Sequence, residues 1–352
     1  MTVPAVSIPA AGDPRRSPLE LIPGILIAIV VGLVSLGLAG VEERLFGHAV
    51  VEGLVVAILL GMIIRTVWTP AERLEAGVSF TAKQVLEVAV FLLGASVDLP
   101  LLLRAGPSLA VGIVLLVVLG LAASYGIGRA VGLPHKLAVL VACGNSICGN
   151  SAIAAIAPVI HADKRDVASA IAFTAILGVF VVVGLPFLIA PLRLSHYQYG
   201  VLAGLTVYAV PQVLAAAFPV SLLSGQVGTL VKLVRVLMLG PVVLFFAVQH
   251  RREKPVHGNG ARLRLTRFVP WFILGFLLLA SLRAAGAIPG AIATPLKTAS
   301  GWLTVAAMAA LGLGVDLKAI RQVGRPVILT VSSSLLVLIL LSVLLIRLLG
   351  IE

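Results

Sequence analysis

The residues of this chain best suited to chemistry form a doubled Gly-Asn-Ser, within Cys143-Gly144-Asn145-Ser146-Ile147-Cys148-Gly149-Asn150-Ser151. The doublet lies inside an apolar segment that runs from Leu137 to Ile160. Amide and hydroxyl groups offer donors and acceptors without net charge. Such groups hold an anion or a partly dehydrated cation; they do not by themselves break bonds. The two triplets lie five residues apart, about 500° of rotation on a regular helix. An unbroken helix points them in different directions, whereas an interrupted one lets both converge on one solute. Gly144 and Gly149 permit unwinding and close backbone approach, and Pro158 completes the break further along. The competing reading is helix packing, because small and polar residues also join transmembrane helices.

Two further groups belong with the doublet. In Thr206-Val207-Tyr208-Ala209-Val210-Pro211-Gln212-Val213, Pro211 removes a helical hydrogen bond in mid-span, and Tyr208 and Gln212 can meet freed backbone or a ligand. A simple proline kink is the alternative. Lys232 and Arg235 are three residues apart and share a helical face. A cation pair at membrane depth is costly unless it faces a cavity or a partner, and an anionic substrate is such a partner. The alternative is snorkelling of both side chains to the interface. The candidate substrate-binding residues are therefore Gly144, Asn145, Ser146, Gly149, Asn150, Ser151, Tyr208, Gln212, Lys232 and Arg235.

The elements that must position these residues are membrane helices. The chain is 60% hydrophobic and 11% charged, with a mean hydropathy of +1.15. Apolar runs of roughly 20 residues, enough to cross a bilayer, recur from Leu21 to Leu349. They number about eleven at that length: Leu21–Gly40, Gly47–Trp68, Val85–Leu103, Pro107–Val131, Leu137–Ile160, Val167–Ala190, Tyr199–Val220, Val227–Val248, Phe268–Ala285, Thr298–Asp316 and Pro326–Leu349. The fold class is all-α and polytopic. Residues 1–19 read as a cytoplasmic tail, and residues 20–352 as a single transmembrane domain with a basic loop at 250–267. The run after Arg15 and Arg16 is long for a cleaved leader, so we expect a first transmembrane helix there.

The net charge of +12 fits a bilayer better than a nucleic acid. Basic residues cluster in loops, as the positive-inside rule expects, and no basic helix with interleaved aromatics is present. Arg251, Arg252, Lys254, Arg262, Arg264 and Arg267 place their loop in the cytoplasm. Counting outward puts the N-terminus inside, with Arg65, Arg73, Lys83, Arg129, Lys136, Lys318, Arg321 and Arg325 also inside. Glu42, Glu43 and Arg44 then fall outside. Cys143 and Cys148 are the only cysteines. Without a nearby histidine they do not suggest zinc, and their spacing on a helix disfavours a disulfide.

Leu93-Gly94-Ala95-Ser96-Val97-Asp98-Leu99 is similar to Leu311-Gly312-Leu313-Gly314-Val315-Asp316-Leu317. The charge count puts the two copies on opposite sides of the membrane. Inverted-repeat transporters show that pattern, although leucine, glycine and valine are common enough here to produce short matches by chance.

At these residues the chain resembles the YeiH-type family of bacterial inner-membrane proteins, which carry the label of sulfate exporters. The resemblance rests on Gly144 to Ala152 with Pro158, on Val231-Lys232-Leu233-Val234-Arg235-Val236-Leu237 with Pro241, and on Leu311 to Leu317. It covers roughly Pro23 to Leu349. It implies a fold grouped with bile-acid-symporter-like and cation-antiporter-like carriers: two inverted repeats, crossed broken helices in a core, and a flanking panel. Many members have a histidine and an acid before Gln-Val; Tyr208 and Ala209 stand there in this chain, with Pro211 before the retained Gln212 and Val213. Coupling by protons at those positions is therefore in doubt.

The leading expectation is a secondary transporter of a small anion. No Gly-rich stretch ends in Gly-Lys-Ser/Thr, so an ion or solute gradient must supply the energy. A sodium- or proton-coupled antiporter or symporter of another solute is the alternative; it needs a buried acid, and Glu52, Asp98 and Asp316 lie near span ends. No Ser/His, paired-Asp or His-Glu-x-x-His set suggests an enzyme. No cofactor is expected, and the coupling ion is open between sodium and proton. The expected partners are a small-molecule or ionic substrate and the lipid bilayer, without nucleic acid. The oligomeric state is open, with a homodimer among the options.

Overall fold

The computed structural model describes residues 18–46, 53–68, 71–96, 106–253, 270–315 and 324–351. Among them all regular structure is helical. Seven helices are long and apolar enough to cross a membrane, and Gly53–Val67, His135–Cys148 and Trp271–Ala284 are shorter apolar helices. Helices among the described residues overlap the apolar segments of the sequence, and several differ from the expected form; that expected at Thr298–Asp316, for example, begins at Gly290. The span expected at Val85–Leu103 begins earlier, at Glu72, and runs through a π turn at Thr81–Val85 to Ser96. Lys83 therefore lies within a helix and not in a loop. The early start is tolerated because Glu75 on this helix pairs with Arg65 at 3.4 Å. The segment Tyr199–Val220 is two short helices. Val227–Val248 is also two, meeting at Met238, because Pro241 has no N–H to continue the first. The second of these reaches Glu253, so the start of the expected basic loop is helical; residues 254–269 lie outside the described residues.

Contacts divide the chain into two compact units. The first comprises Met1–Asp98 and Gly275–Ile320. In it α1 (Pro18–Phe46) packs on α2 (Gly53–Val67), on α3 (72–96) and on α13 (Gly290–Leu313). The paired sequence copies contribute a common packing device here. A Cβ on Gly94 would overlap the Phe276 carbonyl, and one on Gly312 the Ile58 carbonyl. Both glycines admit neighbouring backbone at close range, as small residues do between membrane helices. Asp98 and Asp316, the acids of the two copies, lie outside the described residues, as does Glu52.

The second unit comprises Leu99–Leu274 and Arg321–Glu352. Here α4 (Gly106–Ala130) packs on α5 (His135–Cys143) and on α14 (Arg325–Leu348). Beyond α5 come a π turn, Gly144–Cys148, and α6 (Asn150–Ile156), flanked by α7 (Lys164–Gly184). Helix α8 (His196–Thr206) packs on α10 (Leu222–Leu237), and α9 (Val210–Ala217) also lies against α10. Helix α11 is Leu239–Glu253; α12 is Trp271–Ala284, of which the residues from Gly275 on belong to the first unit. Val111, Leu115, Val118 and Leu119 of α4, and Leu329, Leu336, Leu340 and Leu344 of α14, are exposed. Such contiguous apolar surface is unfavourable in water and suits lipid.

The register of α8 on α10 positions the charged pair. Gly200 and Gly204 are one turn apart on α8. A Cβ on Gly200 would lie 2.7 Å from the Ser224 carbonyl, and one on Gly204 2.6 Å from the Gly228 carbonyl. Bare backbone on this face lets α10 approach closely, which carries Lys232 and Arg235 alongside the end of α8.

Candidate functional site

Two interrupted helices and one intact helix build the candidate site. The first interruption follows α5. The π turn widens the helix over Gly144–Cys148, and the Gly149 N–H donates to the Gly144 carbonyl at 2.8 Å. Gly149 then takes φ +63° and ψ −126°, a conformation reserved to glycine. The chain turns there, and α6 starts at Asn150. It ends at Ile156, two residues before Pro158, where a following proline disfavours helix.

The second interruption lies between α8 and α9. Val207 and Ala209 are extended, and Pro211 stands in the first turn of α9. Pro211 therefore breaks no hydrogen bond in mid-helix: it opens a new helix, where its missing N–H costs nothing. This corrects the loss of a mid-span hydrogen bond expected at Pro211, and equally the alternative of a simple kink.

Each interruption leaves the carbonyls of a helix C-terminus without helical partners. Lys232 and Arg235 take them. Arg235 Nη2 donates to the carbonyls of Ser146 at 2.8 Å and Asn145 at 3.2 Å, and Nε donates to Ser146 at 3.3 Å. Its Nη1 donates to the carbonyls of Gly204 at 2.9 Å and Val207 at 3.4 Å. All five guanidinium N–H groups are thereby engaged. Lys232 Nζ donates to the carbonyls of Ile147 at 2.6 Å and Val207 at 2.8 Å. Both side chains have 0% exposure, so neither snorkels to the surface of the unit. They are also the only charged residues among the buried described ones.

The remaining candidates separate into two places. Asn145 and Ser146 are buried in the π turn, and Ser146 faces Gly120 of α4. Tyr208 is 1% exposed and sits against Gly149, so the two interruptions touch. The Asn145 amide, the Ser146 hydroxyl, the Tyr208 hydroxyl and the Ser124 hydroxyl of α4 are buried without hydrogen-bond partners among the described residues. Gly144 lets the π turn approach Ile153 of α6 and Thr174 of α7. Beyond Gly149, Asn150 and Ser151 are exposed on the unit, and the Thr174 hydroxyl donates to Asn150 Oδ1 at 2.7 Å.

Gln212 has a structural task as well. Its Oε1 accepts from the Ala209 N–H at 3.1 Å, capping α9, and its amide fills the space left by Gly178 of α7. Loss of such a cap costs about 1 kcal/mol. Gln212→Leu should then lower the melting temperature by roughly 2–4 °C, read by thermal unfolding in detergent. An unchanged melting temperature would separate Gln212 from the cap.

Sequence reading missed the main-chain acceptors at Ile147, Gly204 and Val207, the last of which serves both cations, and the side chains of Thr174 and Ser124. The last two carried a signal, as hydroxyls inside otherwise apolar runs. A main-chain acceptor at an unremarkable valine carried none.

The chain matches the family described as Conserved hypothetical protein 698 over residues 23–331. A UPF0324 membrane protein of Bradyrhizobium diazoefficiens is 51% identical over 98% of this chain and 97% of its own. The chain belongs to the UPF0324 membrane-protein family. A UPF0324 relative from Brucella suis is 52% identical over 94% of this chain and 98% of its own. One from Bacillus cereus is 34% identical over 77% and 79%. No solved structure matches. With its apolar helices, this UPF0324 protein is a multi-pass membrane protein.

Proposed function

We propose that this UPF0324 protein is a secondary transporter of a small anion, such as sulfate or an organic sulfonate or carboxylate, working by alternating access. One observation carries the reading: two buried cations meet two helix C-termini, and among the described residues no acid is buried with them. Each C-terminus supplies about half a negative charge, so the pair of termini offsets roughly one of the two positive charges. About one positive charge is left over in a low-dielectric interior, where it is costly without a partner. An anionic solute relieves that cost. The unpartnered Asn145, Ser146 and Tyr208 groups add donors nearby, and Asn150 and Ser151 offer an exposed approach.

The cation-coupled alternative asks for a buried acid, and among the described residues none is buried. The resemblance to YeiH-type sulfate exporters supports the same substrate class. In this reading the chain crosses the bacterial inner membrane about eleven times, with the N-terminus in the cytoplasm. The sequence copies at Leu93–Leu99 and Leu311–Leu317 belong to two inverted halves. The protein moves its substrate without chemical change.

Uptake of labelled sulfate or methanesulfonate into proteoliposomes tests the proposal. Asn150→Leu removes one polar contact to a charged ligand, worth about 1.5–3 kcal/mol. Uptake should fall by roughly 10–100-fold while the protein still folds. Uptake equal to wild type would remove Asn150 from the site.

A further inference from the structure

We propose that the Lys232 ammonium is a tethered cation: it occupies the place that a mobile coupling cation takes at interrupted membrane helices. Coupling cations in such proteins are held by unwound backbone carbonyls and the C-terminal ends of half-helices. Both kinds of ligand are present here. Ile147 gives an oxygen from the end of the first interrupted helix, and Val207 one from the end of the second, 2.6 and 2.8 Å from Nζ. Both oxygens are satisfied by a charge that the chain itself supplies from α10. Nζ has three protons; two are spent on these carbonyls, and the third has no partner among the described residues.

The arrangement has a consequence for energetics that the anion reading does not contain. A covalently held cation does not enter from one side and leave on the other, so its binding cannot be driven by a sodium gradient. Sodium is then not the coupling ion at this place. A second consequence is that truncating Lys232 leaves a cation-shaped gap, lined by the same two carbonyls and suited to a compact monovalent ion.

The test compares wild type, Lys232→Ala and Lys232→Met by thermal unfolding in detergent. The salts are choline, sodium and methylammonium chloride at one ionic strength. Wild type and Lys232→Met, whose side chain fills the space, should respond to all three alike. Lys232→Ala should gain roughly 2–4 °C in methylammonium or sodium relative to choline, the size expected of a ligand well above its dissociation constant. An indifferent Lys232→Ala, or an equal gain in Lys232→Met, overturns the proposal. If Lys232→Ala does not survive extraction, wild type decides: anion uptake unchanged when choline replaces sodium on both sides supports it, and uptake that requires sodium overturns it. The melting arm needs no transport, so its failure is distinct from failure of the anion reading.

Discussion

Arg235→Gln should be the most destabilising single substitution among the candidate site residues. It removes donors from the carbonyls of Asn145, Ser146, Gly204 and Val207. All four belong to helix ends that share only the Lys232 ammonium, on Ile147 and Val207, as a further side-chain donor among the described residues, and a glutamine amide cannot reach both interruptions at once. Removing one partner of a buried charged arrangement costs about 3–5 kcal/mol. We expect a fall in melting temperature of more than about 6 °C, measured by thermal unfolding in detergent. Arg235→Lys should recover only part of this, because an ammonium is a compact charge with three donors and no planar fork. A loss below about 1 kcal/mol in Arg235→Gln would mean that the helix ends do not depend on the guanidinium.

Gly149→Ala should damage function more than stability. Its φ of +63° with ψ −126° is strained for any residue with a Cβ, at a cost of about 1–3 kcal/mol. Space is not the problem, since the new Cβ would lie 3.4 Å from the Tyr208 Cβ, an ordinary contact. The backbone must instead relax, which rotates Asn150 and Ser151 away from Asn145 and Ser146. Anion uptake should fall roughly tenfold or more, the equivalent of about 1.4 kcal/mol, with a melting shift of several degrees. Gly126→Ala on α4 is the control. Nothing lies within 4 Å of that position, so a helix-interior alanine there should be neutral or stabilising by about 0.5–1 kcal/mol. Equal effects at the two positions would show that the turn at Gly149 has no special part.

Much of this was legible in the residues themselves. The Gly-Asn-Ser doublet announced an interruption because glycine and amide side chains have no reason to repeat in an apolar run unless the backbone opens there. The spacing of Lys232 and Arg235 placed them on one face of α10. What the sequence could not give was their partner. The span Val227–Val248 shows two cations and no acid, and that pattern reads as either a pair facing a cavity or partner, or snorkelling to the interface. Only the tertiary arrangement reveals that the carbonyls of two distant segments converge on them. Pro211 misled for a related reason: a proline in an apolar run marks a kink or a helix start equally well, and the extended Val207–Ala209 decides for the start. The early beginning of α3 was hidden because Arg73, Glu75 and Lys83 look like loop residues when read apart from the Arg65–Glu75 pair.

In the proposed reading, the buried pair of cations leaves positive charge for an anion to neutralise. The most direct measurement is the melting temperature of the purified wild-type protein against sulfate, methanesulfonate and acetate, each as the sodium, potassium and choline salt. A saturable rise is expected that follows the identity of the anion and is the same for all three cations. A rise that follows sodium whatever the anion, with no anion producing one of its own, would contradict it.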